Sequence, residues 1–167
     1  MVAAPRSLRV VTPIWQCQTG VGAELNPEDH KLQKTYSGGC ACGAIRYEIT
    51  GEPVAMLDCQ CRQCQRDSGT GHQSHLQFVG AQMTSVGVAS NWQSIGDGGT
   101  VKRRGFCPTC GSPVFLTFPA MPAVLIVTPS SLDDPAIFSP THVTWSSSGH
   151  AWDHLDPALP QFDKMPT

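Results

Sequence analysis

Cys40-Ala41-Cys42-Gly43-Ala44-Ile45-Arg46-Tyr47-Glu48-Ile49-Thr50 passes from two closely spaced cysteines into strict alternation of apolar and polar side chains. The alternation puts Ile45, Tyr47 and Ile49 on one face and Arg46 and Glu48 on the other, which is the period of a half-buried strand. The Cys-x-Cys step presents two sulfurs to one point from a tight turn, and the flanking Gly39 and Gly43 let the backbone make that turn. A metal knuckle that feeds a strand is thus the local unit from which the rest of the chain is read.

Working outward, residues 54–57, 74–79, 100–106, 114–118 and 124–127 read as further short strands separated by glycine and proline. With 16 glycines and 14 prolines in 167 residues, long helices are not expected. Leu132-Asp133-Asp134-Pro135 has the composition to start a single helical turn. The fold class is mainly β. The length suits one domain with an adequate core, read here as 36–167. Residues 1–35, which show no sustained period, are read as an N-terminal extension, and Cys17 within it has no assigned role.

The net charge of -2 and pI near 6.3 supply no basic stripe, so nucleic acid and acidic membranes are not expected partners. No apolar run approaches the roughly 18 residues of a membrane helix; the longest, 123–127, reads as a strand. Residues 1–18 carry Arg6 and Arg9 without an acid, a faint import pattern, but Pro5, Arg9 and Pro13 interrupt any export signal. A cytoplasmic protein is the expectation, with the oligomeric state undetermined. No Ser/His/Asp order, phosphate loop or nucleotide fingerprint is present.

Seven of the eight cysteines cluster: Cys40 and Cys42, then Cys59, Cys61 and Cys64, then Cys107 and Cys110. A disulfide framework fits poorly, because seven thiols cannot all pair with one another and no export signal precedes them. A dithiol redox site at Cys107-Pro108-Thr109-Cys110 fits poorly too, since that motif opens a helix and Gly111-Ser112-Pro113 leads into a strand. Zinc remains, and the spacing allows four ligands plus three. The two outer pairs can form a closed site, leaving Cys59, Cys61 and Cys64 as an open three-thiolate site of the reactive kind. The triplet can equally be a second closed site, completed by Asp58, His72 or His75.

Three ordered motifs make the sequence recognisable: Ser37-Gly38-Gly39-Cys40-Ala41-Cys42-Gly43-Ala44-Ile45-Arg46-Tyr47, Cys59-Gln60-Cys61-Arg62-Gln63-Cys64, and Gly105-Phe106-Cys107-Pro108-Thr109-Cys110-Gly111-Ser112-Pro113. The chain resembles the glutathione-dependent formaldehyde-activating enzyme and centromere protein V family. Trp152 and Leu159-Pro160-Gln161-Phe162 look like that family's closing signature. The resemblance implies a β-tent fold of short antiparallel sheets stapled by zinc, with two ions per chain. It implies a structural zinc on Cys40, Cys42, Cys107 and Cys110 and a catalytic-type zinc on Cys59, Cys61 and Cys64. The implied activity is that of a carbon–sulfur lyase joining glutathione to formaldehyde, or another small thiol to a small aldehyde.

An acidic thiol peptide needs cations near the open site. Arg62 and Arg66, on either side of Cys64, are the candidates; the run Lys102-Arg103-Arg104 is the next, although such runs are usually solvated faces. The loop Ser68-Gly69-Thr70-Gly71 offers N–H groups to an anion or is a plain turn. No more than one of His72 and His75 can face the metal if they share a strand. Trp92, Trp145 and Trp152 read as cover for core or loop edges. A non-catalytic zinc-binding protein-interaction module is the alternative function, and a thiol redox protein a weaker third.

Overall fold

The computed structural model describes residues 34–166; Cys17 and nearly all of the extension read over 1–35 lie outside them. Strand β1 (Thr35–Gly39) is followed by β2 (Arg46–Thr50), β3 (Ala55–Cys59), helix α1 (Arg62–Ser68), β4 (Gln73–Val79), β5 (Gln82–Val86) and β6 (Ser90–Ile95). Next come β7 (Val101–Phe106), β8 (Pro113–Thr117), β9 (Val124–Val127), β10 (His142–Thr144) and β11 (Gln161–Phe162). The acidic 132–135 segment does lead into one 3₁₀ turn, Pro135–Ile137, capped by the Asp134 side chain on the Ala136 N–H.

The strands form two sheets, ordered β1-β2-β5 and β11-β10-β3-β4-β9-β8-β7-β6. Pairing is antiparallel except at β10, which lies parallel to both β3 and β11. The mainly β fold of short antiparallel sheets holds apart from these two pairs: the long excursion from β9 allows β10 to return in the direction of β3, a connection too long for a hairpin.

The alternation over 44–50 does what its period requires. Ile45, Tyr47 and Ile49 are buried, while Arg46 and Glu48 are exposed. They meet Leu76, Phe78, Val114, Leu125 and Val127, so the small sheet packs on one face of the large one and makes the main core. The opposite face of the large sheet carries α1 and a second apolar patch of Leu116, Phe118 and Ile126. The two faces carry different cargo because successive side chains alternate, as on β9, where Leu125 and Val127 join the main core and Ile126 the second patch; β7 and β8 also shift register between Gly105 and Phe106.

Gly38 ties the small sheet to the C-terminal half. Its neighbour Leu132 bridges back to it, and the Tyr47 hydroxyl meets Ser131 Oγ at 2.6 Å. A Cβ on Gly38 would lie 2.4 Å from the Ser131 carbonyl oxygen and 2.5 Å from the Tyr47 hydroxyl. Gly38→Ala is therefore expected to cost about 1–3 kcal/mol, the range of core overpacking, read as a lower urea midpoint with unchanged slope.

Candidate functional site

Two sulfur groups stand out among the described residues: Cys40, Cys42, Cys107 and Cys110, and separately Cys59, Cys61 and Cys64. Within each group the sulfurs lie within 4.8 Å of one another. All seven are free thiols, which removes the disulfide reading for them.

The first group is built from two matching turns. Gly43 donates its N–H to the Cys40 carbonyl at 3.1 Å, and Gly111 donates to Cys107 at 2.8 Å. Both glycines adopt left-handed φ, +75° and +76°, which only glycine takes without strain. The Ile45 N–H donates to Cys40 Sγ at 3.2 Å. Sulfur separations are 3.6 Å for Cys40–Cys42 and 3.8 Å for Cys42–Cys107. A tetrahedral zinc with Zn–S near 2.3 Å needs S···S of about 3.8 Å, so the donor set fits that ion in number, chemistry and spacing.

The triplet forms differently. Cys59 ends β3, and Cys61 caps α1, its sulfur accepting the Cys64 N–H at 3.4 Å. Cys64 then lies one helical turn on, on the same side. Cys59 and Cys64 are buried and Cys61 is partly open. Crowding separates their acidities: hydrogen bonds from Cys59 and then Cys64 hold Cys61 well below the ordinary thiol range, while Cys64 is pushed far above it.

The side chains considered as a fourth ligand part company. Asp58 accepts from Ser74 and lies 4.0 Å from His72, whose Nδ1 meets Asp153 at 2.8 Å. His75 reaches Cys64 Sγ at 3.5 Å from the next strand, but does not join the group within 4.8 Å of all three sulfurs. Burial, and then the positive Arg104, push its imidazole down to about 4, so it is neutral at pH 7. The donor set of the triplet fits a metal with three protein thiolates.

A cleft of about 560 Å³ opens over the triplet, inside the usual range of small-molecule sites of roughly 300–1,000 Å³. Leu116, Phe118, Ile126 and Trp145 give it apolar surface; Arg62 and Lys102 give it positive charge and Asp97 negative, while Arg104 on the same wall is paired with Asp67. Arg66, one turn further along α1 than Arg62, is exposed and does not line it. The 102–104 run divides by strand alternation: Lys102 and Arg104 face the cleft and Arg103 is exposed. Arg104 is 7% exposed and ion-paired with Asp67, contrary to a fully solvated face. The 68–71 loop is a plain turn: Gly69 ends α1 in the left-handed region, and the loop does not line the cleft.

One supporting residue escaped the sequence reading. Gln65, buried on α1, donates to the carbonyls of Gln60 at 2.7 Å and Ser148 at 2.9 Å, clamping the helix to the C-terminal segment. Trp145, read from the sequence as cover for core or loop edges, does pack beside Cys59 and Cys64, with a left-handed φ of 59°. A polar glutamine on a short helix carries no sequence signal for its clamping role.

The model of the glutathione-dependent formaldehyde-activating enzyme family matches residues 35–148. The match spans all seven clustered cysteines and stops before Trp152 and 159–162. A crystal structure of a Rhodobacter sphaeroides protein is similar at 17% identity over 75% of this chain and 98% of that chain, with a TM-score of 0.47.

Purified without added metal, the protein is expected to carry about two zinc ions per chain by elemental analysis. Cys110→Ser should abolish cooperative folding or lower Tm by more than ~10 °C, because metal binding there is folding free energy. Cys61→Ser, which keeps a capping oxygen on α1, should lose one ion and keep most of the stability. Equal thermal loss from both would make the triplet structural.

Proposed function

The chain belongs to the glutathione-dependent formaldehyde-activating enzyme family, and from that membership we propose that the cleft over Cys59, Cys61 and Cys64 takes glutathione by its thiol and joins it to a small aldehyde, or runs the reverse cleavage. The observation that carries the reading is a group of three cysteine sulfurs, completed by no histidine or carboxylate among the described residues, facing a cleft on which Arg62 and Lys102 outnumber the single carboxylate of Asp97.

Cys59, Cys61 and Cys64 would hold the zinc. When bound, the ion supplies a Lewis acid that lowers the pKa of a thiol meeting it. The rest of the work belongs to the chain. Arg62, on α1, and Lys102, on β7, line the same cleft and offer charge-assisted hydrogen bonds to the peptide's carboxylates. Lys102 has no acidic partner within ion-pair distance among the described residues, so its charge is available. Leu116, Ile126 and Trp145 replace water along the aliphatic part of the ligand. In the addition the S–H proton leaves sulfur, a C–S bond forms at the carbonyl carbon, and the carbonyl oxygen gains a proton, so the reaction is proton-neutral. Orientation of the two reactants is the chain's main contribution.

Calorimetry should show glutathione binding with proton release and with affinity rising with pH, since a thiol that binds as thiolate gives up its proton. S-methylglutathione should bind at least tenfold worse. Lys102→Ala is expected to weaken glutathione about fivefold, in line with a partly exposed charged contact of roughly 1 kcal/mol. With formaldehyde added, adduct formation followed by NMR should exceed the spontaneous rate measured beside it. Binding without acceleration would point to another electrophile, and no thiol binding would leave the interaction module.

A further inference from the structure

A second, smaller cavity of about 230 Å³ lies on the same face of the large sheet, beyond Arg104 and His75, which line both spaces. Four of its lining side chains bring buried polar atoms that make no hydrogen bond among the described residues; Asp67 Oδ2 is met by its ion pair with Arg104, which leaves Gln73 Oε1, His75 Nδ1 and Thr128 Oγ1 without any partner. Gln73 and His75 are 6% and 5% exposed. Native proteins pair nearly all buried polar atoms, and leaving one unpaired costs roughly 1–3 kcal/mol. Three orphans lining one cavity form a set of hydrogen-bonding positions rather than a scattered defect.

The chemistry of the set narrows what fits. Gln73 Oε1 accepts, the Thr128 hydroxyl donates or accepts, and His75 Nδ1 does either according to its tautomer. Among the described residues the charges on the wall are Asp67 and Arg104, which neutralise each other in an ion pair, so neither an anion nor a cation gains. Leu116, Ile126, Phe106 and Trp92 contribute apolar wall, which water covers poorly and a carbon skeleton covers well. The volume falls below the usual small-molecule range, so a tripeptide does not fit.

We propose that this chamber is a binding compartment for a small neutral molecule carrying several hydroxyl groups, such as a short polyol, a hydroxyaldehyde or its hydrate. The hydroxyls meet Gln73, His75 and Thr128, and the carbon chain lies against the apolar wall. Binding there needs neither a thiol nor the Cys59, Cys61, Cys64 group.

Saturation-transfer NMR on the full chain, with glycerol and glycolaldehyde as probes and 1-propanol as the apolar control, tests this. Both hydroxylated probes should bind in the millimolar range, and 1-propanol at least tenfold more weakly. Gln73→Leu and Thr128→Val, near-isosteric changes, should each weaken glycerol at least fivefold while leaving Tm within ~2 °C. Cys61→Ser should leave glycerol binding unchanged, which separates this compartment from the thiol site. Saturation by water alone, seen as no probe binding in the wild type, would overturn the proposal. So would equal binding of 1-propanol, or a large drop in Tm in both variants, which would make these polar atoms structural.

Discussion

The convergence of Cys40, Cys42, Cys107 and Cys110 governs the architecture. It brings the turn before β2 into contact with the turn between β7 and β8, 65 residues further on at Cys42 and Cys107. One partner turn belongs to the small sheet and the other to the large sheet, so a metal held there fixes the two layers against each other. Cys40 and Cys107 are buried at the edge of the main core, while Cys42 and Cys110 are exposed. Four sulfurs at these spacings have no stabilising role without a cation, because thiols are weak hydrogen-bond donors and acceptors. Zinc bound by such sites contributes on the order of 10 kcal/mol, comparable to the whole stability of a domain.

That same turn sets what the other face of the sheet displays. Strand β7 runs directly into Cys107, and the register shift at Gly105/Phe106 falls just before the turn. From there, alternation backward along β7 sends Arg104 and Lys102 to the face that carries α1 and the triplet. The charge of the cleft is thus tied to the position of the structural turn. The triplet depends on separate elements, β3 for Cys59 and α1 for Cys61 and Cys64, with Gln65 clamping the helix. Loss of one group therefore need not dismantle the other.

What the sequence disclosed follows from which signals are local. The 44–50 alternation, the strand at 124–127 and the grouping of seven cysteines depend on short-range spacing, and the structure carries all three. Strand β1 was hidden because Ser37, Gly38 and Gly39 look like a turn; the glycines are there because Ser131, Tyr47 and Ile45 approach too closely for a side chain. Strands β5 and β6 are mostly exposed, so they lack the apolar alternation that marks a half-buried strand. Helix α1 has seven residues and a cysteine cap, neither of which is a recognised start signal. The parallel placement of β10 beside β3 rests on contacts 85 residues apart, beyond any local pattern.

Arg104 shows how a residue can look solvated in sequence and be structural in space. It sits in a run of three basic residues, yet its side chain is 9% exposed and pairs with Asp67, itself 12% exposed. Ser94 Oγ accepts from its Nε at 3.2 Å, Trp92 stacks beneath it at 5.7 Å, and Gln63 donates to Asp67 at 2.8 Å. Burial pushes the Asp67 carboxyl up, a sign that desolvation opposes its charge. Pairs of this kind add little net stability, because the attraction is spent against desolvation. Their effect is geometric. Removing either partner leaves a buried charge, so the two hold each other in place, α1 stays against β7, and the cleft stays separate from the space behind it.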